Sequence, residues 1–236
     1  MKALILGCSH ALGAEMSKQP GLELDANHDT YGAMNSYPVQ IAQQLGHTAL
    51  NHAISGGSND AMYRIFCDTI DQLTADDVVI ACWTGGNRGE VFYEHEQRWL
   101  PISHGDTHTL QIESDSVLLQ GRCRSSKKIR HHQPFEDYGR QWLLYEGHDQ
   151  RGRLNKVKNI LALNMLAQSR HIPVINIDSF DPVSNWSWPS TIIWPVLNKD
   201  FITFCQEQNF PRTDWGHFFR PSHSAFADYV LKNIAG

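Results

Sequence analysis

The sequence predicts an α/β protein built as a three-layer α/β/α sandwich. Three observations carry this. Short apolar runs (residues 3–6, 78–83 and 173–177) alternate with stretches whose apolar residues recur at helical spacing. The run Val78-Val79-Ile80-Ala81-Cys82-Trp83 is almost unbroken, as expected of a central parallel strand covered on both faces. No linker composition and no internal repeat interrupt the 236 residues, which suits a single domain over 1–236. Strands joined through helices imply right-handed crossovers and helices on both sides of the sheet.

Lys2 to Gly7 reads as the first buried strand, and it breaks into Gly7-Cys8-Ser9-His10. Residues 11–35 contain Gly, Pro, Asn and Asp and read as a long irregular loop. Val39, Ile41, Ala42 and Leu45 mark a helix that stops at Gly46. Thr48 to Ala53 is the second strand, followed by Ser55-Gly56-Gly57-Ser58-Asn59 and a helix over 60–73. The central strand over 78–83 comes next. Residues 91–150 break the rhythm: rich in His, Glu, Arg, Trp and Tyr, they read as an insertion or cap over the active edge. Val157, Ile160, Leu161, Leu163 and Leu166 then predict a helix over 154–168, and residues 173–177 a strand with Asp178 at its carboxyl end. The aromatic stretch 184–194 is expected to wall or underlie the cleft. Short and long helices are expected over 201–208 and 222–234.

Composition excludes several classes. The net charge of −5 gives no global basic field for nucleic acid or an anionic membrane. The basic residues Arg122, Arg124, Lys127, Lys128, Arg130, Arg151 and Arg153 are an exception, read as a solvated face or a guide for an anionic substrate. Five cysteines without C-x-x-C spacing argue against a disulfide framework or zinc ribbon and for a reducing compartment. With a strand starting at Lys2 and no apolar run of about 18 residues, neither a signal peptide nor a membrane span is expected. A cytoplasmic location follows as the default.

The chemistry-bearing residues are weak signals singly. Ser9 sits where parallel sheets expose reactive groups, at the carboxyl edge of a strand, although a serine there also suits a helix N-cap. Ala11 stands where the nucleophile elbow Gly-x-Ser-x-Gly has its last glycine. Asp214 precedes His217 by three residues, a spacing that lets a carboxylate fix an imidazole tautomer. His223 competes, but the first turn of a helix suits a structural role. Gly56 and Asn87 are candidate oxyanion donors and equally good turn formers. His104, Asp106, His108, His131 and His132 are metal-ligand types without His-Glu-x-x-His spacing, so no metal and no cofactor are expected.

Taken in order, Gly7-Cys8-Ser9, Asn51 to Ser58, Gly85-Gly86-Asn87 and Asp214-Trp215-Gly216-His217 resemble the four blocks of the SGNH (GDSL-type) hydrolases. The resemblance implies a flavodoxin-like sandwich with about five parallel strands and a serine esterase activity. It makes Ser9 the nucleophile, His217 the general base and Asp214 its orienting acid. The Ser9 and Gly56 amides and the Asn87 side chain would form the oxyanion hole. Cys8 replaces the family's usual aspartate, and Gly85-Gly86-Asn87-Arg88 falls late after its strand, so either Asn87 reaches the hole from a longer loop or Thr84 donates instead. Arg88, Trp83 and Trp215 are candidate substrate contacts, Arg88 and Glu90 pairing with each other or with substrate. The tryptophans (also Trp186, Trp188 and Trp194) suit an acetylated carbohydrate. The expected function is therefore hydrolysis of a small-molecule or carbohydrate ester through an acyl-enzyme, with no nucleic-acid or membrane partner. The rivals are a non-catalytic binding protein on the same scaffold and a metal-dependent phosphoesterase using the 90–150 region.

Overall fold

A computed structural model describes residues 1–22, 28–94, 97–103, 149–180 and 199–234. Its core is a parallel sheet of β1 (Lys2–Gly7), β2 (Thr48–Asn51), β3 (Val78–Trp83) and β6 (Val174–Asp178), in the order β2-β1-β3-β6. The expected five strands are four among the described residues. Register runs Ala3 beside Val78 and Gly7 beside Cys82, then Val79 beside Val174 and Trp83 beside Asp178.

Strand periodicity divides each central strand between two cores. Ala3, Ile5, Val78, Ile80 and Cys82 point to one side, where α3 (Tyr37–Gln44), α6 (Phe201–Glu207) and α7 (Arg220–Ile234) bury Tyr37, Ile41, Phe201 and Phe226. Leu4, Leu6, Val79, Ala81 and Trp83 point to the other, against Met62 and Phe66 of α4 (Asn59–Thr69) and Ile160 and Leu163 of α5 (Asp149–Ser169). Both faces are covered, which is why β1 and β3 read as continuous apolar runs rather than alternating ones.

Residues 11–35 depart from the irregular loop expected of them. They hold the second half of α1 (Ser9–Leu12), a 3-10 turn (Met16–Lys18) and α2 (His28–Asn35). Gly13 and Gly32 are there for close approach. Gly13 ends α1 at φ 75°, and a Cβ on it would lie 2.3 Å from the Gly32 carbonyl oxygen of α2. Only glycine meets both demands. The described residues of 91–103 belong to an antiparallel hairpin, β4 (Arg88–Tyr93) with β5 (Arg98–Ser103), and 149–150 open α5. Arg64 of α4 ties it to the body through Glu90, with Nε to Oε1 at 2.9 Å and Nη2 to Oε2 at 2.8 Å. Glu90 thus pairs with Arg64 instead of Arg88. The expected cap beyond Ser103, the basic cluster from Arg122 to Arg130, the loop histidines and Trp186, Trp188 and Trp194 lie outside the described residues. No described helix is long and apolar enough to cross a membrane.

Candidate active site

Three adjacent strands end at one edge of the sheet, and the chain segments leaving them meet there. β1 delivers Ser9 and His10, β3 delivers Thr84, and β6 delivers Ser179 and Phe180; the Ser179 amide donates to the Trp83 carbonyl at 2.8 Å. This is the carboxyl edge, where open parallel sheets place their ligand crevice.

Ser9 is the first residue of α1 and is buried. As an N1 residue its amide has no intrahelical acceptor. Asn51, at the end of β2, braces this helix: its Nδ2 donates to the Ala33 carbonyl at 3.2 Å and lies 3.4 Å from the Ala11 carbonyl, while its Oδ1 accepts from the Ala53 amide at 3.1 Å. The turn that follows folds over the end of β1. Ile54 donates to the Gly7 carbonyl at 3.0 Å, Gly57 donates to the Ile54 carbonyl at 2.8 Å, and Gly56 between them takes φ 76°. Gly56 is thereby set beside the strand that carries Ser9.

His217 comes from the other end of the chain. A tight turn holds it: Gly216 takes φ 80° and donates to the Thr213 carbonyl at 2.9 Å, and Thr213 donates to the His217 carbonyl at 2.8 Å. The His217 amide in turn donates to Thr213 Oγ1 at 3.2 Å. The His217 ring lies 4.9 Å from the ring of His10, so the last turn of the chain meets the helix that Ser9 begins.

The carboxylate on the imidazole is Glu15, where Asp214 was expected. His217 Nδ1 is 2.9 Å from Glu15 Oε2, and Asp214 is exposed. The reason is local geometry. Glu15 follows the Gly13 cap with its own backbone in the left-handed region at φ 60°, a conformation that costs a non-glycine residue about 1–3 kcal/mol. That bend aims the carboxylate inward, where Thr213 Oγ1 donates to Oε2 at 2.8 Å and Lys18 Nζ to Oε1 at 2.5 Å. The Glu15 side chain is 5% exposed. Burial alone would raise its pKa, but the bonds from Lys18, His217 and Thr213 outweigh it and pull the value down to about 2. Glu15 is therefore an ionised, acceptor-only carboxylate, and Nδ1 of His217 must carry the proton that joins them. In the neutral imidazole the lone pair then belongs to Nε2.

The other expected residues separate. Thr84 is fully buried; Asn59 holds its backbone from both sides, with Oδ1 accepting from the Thr84 amide at 3.0 Å and Nδ2 donating to its carbonyl at 3.2 Å. Its hydroxyl has no partner. The Asn87 side chain curls back over its own turn, so that a Cβ on Gly85 would meet Asn87 Oδ1 at 2.9 Å. Trp83 is not a substrate contact. At 1% exposure it fills the core under α5, its Nε1–H donating to Asn176 Oδ1 at 2.9 Å. Trp215 is 50% exposed on the His217 turn. Arg88 lies with its guanidinium carbon 5.0 Å from the centre of the Phe180 ring. Asp178 pairs with the buried Lys156 at 2.6 Å.

His10 and His223 are both buried, and their roles differ. His223 Nδ1 accepts from the Tyr37 amide at 3.1 Å, a structural bond, and burial lowers its pKa to about 3. Burial, followed by the charges of His217, Arg88 and His223, holds His10 well below the ordinary histidine value. In both cases the folded pKa lies under the unfolded value of 6.5, so the unfolded chain binds protons first as pH falls. Stability is expected to drop below pH 6.5, by up to about 1.4 kcal/mol per pH unit for each histidine. Urea midpoints measured from pH 7.5 to 4.5 check this, and a flat profile across that window contradicts it.

Sequence reasoning missed Glu15 and Asn59. Glu15 is the only acid between Ser9 and Gly21, which is a signal, but nothing in its spacing links it to a histidine two hundred residues away. Asn59 was legible only as the end of a turn.

No protein-family model matches the chain, and no curated protein matches it. Solved structures do. TesA matches at 10% identity with a TM-score of 0.50, over 99% of this chain and 98% of its own. A G-D-S-L family protein from Desulfitobacterium hafniense DCB-2 matches at 14% identity and TM-score 0.47, over 98% of each chain. The esterase EstA from Pseudoalteromonas sp. matches at 11% and 0.47, over 99% of this chain and 96% of its own. At such identities the likeness is one of fold alone: an α/β sandwich around a parallel sheet.

Proposed function

We propose that this chain is a serine ester hydrolase of SGNH type whose charge-bearing set is Ser9, His217 and Glu15. The observation that carries the reading is the 2.9 Å bond from His217 Nδ1 to a carboxylate kept ionised, on an imidazole that touches the helix headed by Ser9. A hydroxyl is a weak nucleophile until a base takes its proton, and a pinned Nδ1–H makes Nε2 that base. Ser9 Oγ attacks the ester carbonyl while His217 takes the proton. The alcohol leaves with that proton, and water resolves the acyl-enzyme by the reverse path. Backbone amides of Ser9 and Gly56 are the proposed oxyanion donors, with the Asn87 amide or the Thr84 hydroxyl as a third. Of these two, the unpartnered Thr84 hydroxyl fits better, because Asn87 folds over its own turn.

Esters are preferred to metal-assisted chemistry because a carboxylate already fixes the imidazole at Nδ1, the first half of such a relay. Trp83 belongs to the core and offers no sugar platform. The direct test is covalent. A fluorophosphonate ester is expected to label the protein once, on the peptide containing Ser9, and to leave Ser9→Ala unmodified. Stoichiometric labelling at another serine would overturn the assignment.

A further inference from the structure

Of the buried polar atoms without partners at the sheet edge, two belong to residues on the same aromatic ring. Arg88 Nη1 and His10 Nδ1 are each buried without a hydrogen bond. The Arg88 guanidinium lies over the face of Phe180 at 5.0 Å, and the His10 ring meets Phe180 edge-on with centres 4.9 Å apart. Leaving buried donors unsatisfied is costly, most of all on a charged group. Native proteins tolerate it mainly where something else completes the bond.

Glu90, two residues along the strand from Arg88, is held by both arms of Arg64. Glu15 is taken by Lys18, Thr213 and His217, and Asp178 by Lys156. Among the described residues no carboxylate pairs with Arg88. A guanidinium in that state, set against an aromatic face, is built to receive a planar or tetrahedral anion. His10 stays neutral there, so its Nδ1 is able to present an N–H to the same group without a second positive charge.

We propose that the substrate is an ester bearing an anionic group, a carboxylate or a phosphate, gripped by Arg88 and His10 beside Phe180. This rests on the hydrolase reading above and narrows it: the anion is the handle, and the ester carbonyl reaches Ser9. The overall charge of −5 would repel such a substrate, so a local cation beside Phe180 is what makes it selectable.

The test compares matched esters. On the acyl side, 4-nitrophenyl hemisuccinate is set against 4-nitrophenyl butyrate. On the alcohol side, 4-acetoxybenzoate and 4-acetoxyphenyl phosphate are set against 4-methylphenyl acetate, which also separates carboxylate from phosphate. In at least one comparison kcat/KM is expected to favour the anion by roughly 10–100-fold, the scale of one charged hydrogen bond. Arg88→Gln is expected to bring that ratio close to one, mainly through KM, and Arg88→Lys to retain part of it. Ratios of one or below in the wild type, unmoved by Arg88→Gln, overturn the anion handle while leaving the hydrolase intact. If no ester is cleaved, calorimetric titration with succinate and with inorganic phosphate decides separately. Binding to the wild type that is lost in a folded Arg88→Gln supports the handle, and no binding of either anion to the wild type sinks it.

Discussion

Glu15→Gln is expected to lower kcat for ester hydrolysis by about 10⁴-fold, the scale set by an analogous triad acid, with little change in KM. Asp214→Asn is expected to cost less than about threefold. The asymmetry follows from tautomer control. A carboxylate only accepts, so it forces the proton onto Nδ1 and the lone pair onto Nε2. A glutamine amide is able to donate, and doing so toward Nδ1 would put the proton on Nε2, where it blocks attack by Ser9. Asp214, exposed on the same turn, has no such hold on the ring. Steady-state kinetics on one activated ester, with thermal unfolding to confirm that both variants fold, decides the matter. A heavy loss in Asp214→Asn beside a mild one in Glu15→Gln would return the role to Asp214.

The same substitution carries a stability signature. Glu15 has a folded pKa of about 2 against an ordinary value of 4.5, so its contribution is fully present above 4.5 and is lost as pH falls toward 2. Glu15→Gln removes that component of the acid limb. Because the residue also sits at φ 60°, removing its bonds to Lys18, Thr213 and His217 leaves a bent backbone with less to hold it.

The architecture was readable because burial on both faces writes itself into β1 and β3 as unbroken apolar runs. The helices over 37–44 and 59–69 were readable from periodicity for a related reason: each turns one stripe toward the sheet. Residues 11–35 were misread because their glycines looked like loop formers, whereas Gly13 and Gly32 allow two short helices to cross with their backbones touching. Ser9 and His217 were legible as motifs since each sits at a strand or turn boundary. Glu15 was not, because its function comes from a backbone conformation and a contact across the whole chain. Trp83 shows the reverse error, in which an aromatic at a strand's carboxyl end suggested substrate but lies under α5 with its N–H satisfied by Asn176.

Ser9→Ala and His217→Ala are each expected to reduce kcat by about 10⁶-fold, and the double variant to be scarcely worse than either. The reason is that the two groups perform one event. Without the hydroxyl the imidazole has nothing to deprotonate along this path, and without the imidazole the hydroxyl is not nucleophilic at neutral pH. Their individual losses therefore overlap instead of adding. A residual rate above the uncatalysed one should persist in all three variants, because amides aimed at a developing oxyanion work whatever attacks the carbonyl. Ser9→Ala should fold normally, whereas His217→Ala also removes a bond from the buried Glu15 carboxylate, so thermal unfolding is measured beside the rates. Measured rates in which the double variant equals the product of two modest single losses would mean that Ser9 and His217 act independently. Ester cleavage in this protein would then have to begin from a different nucleophile.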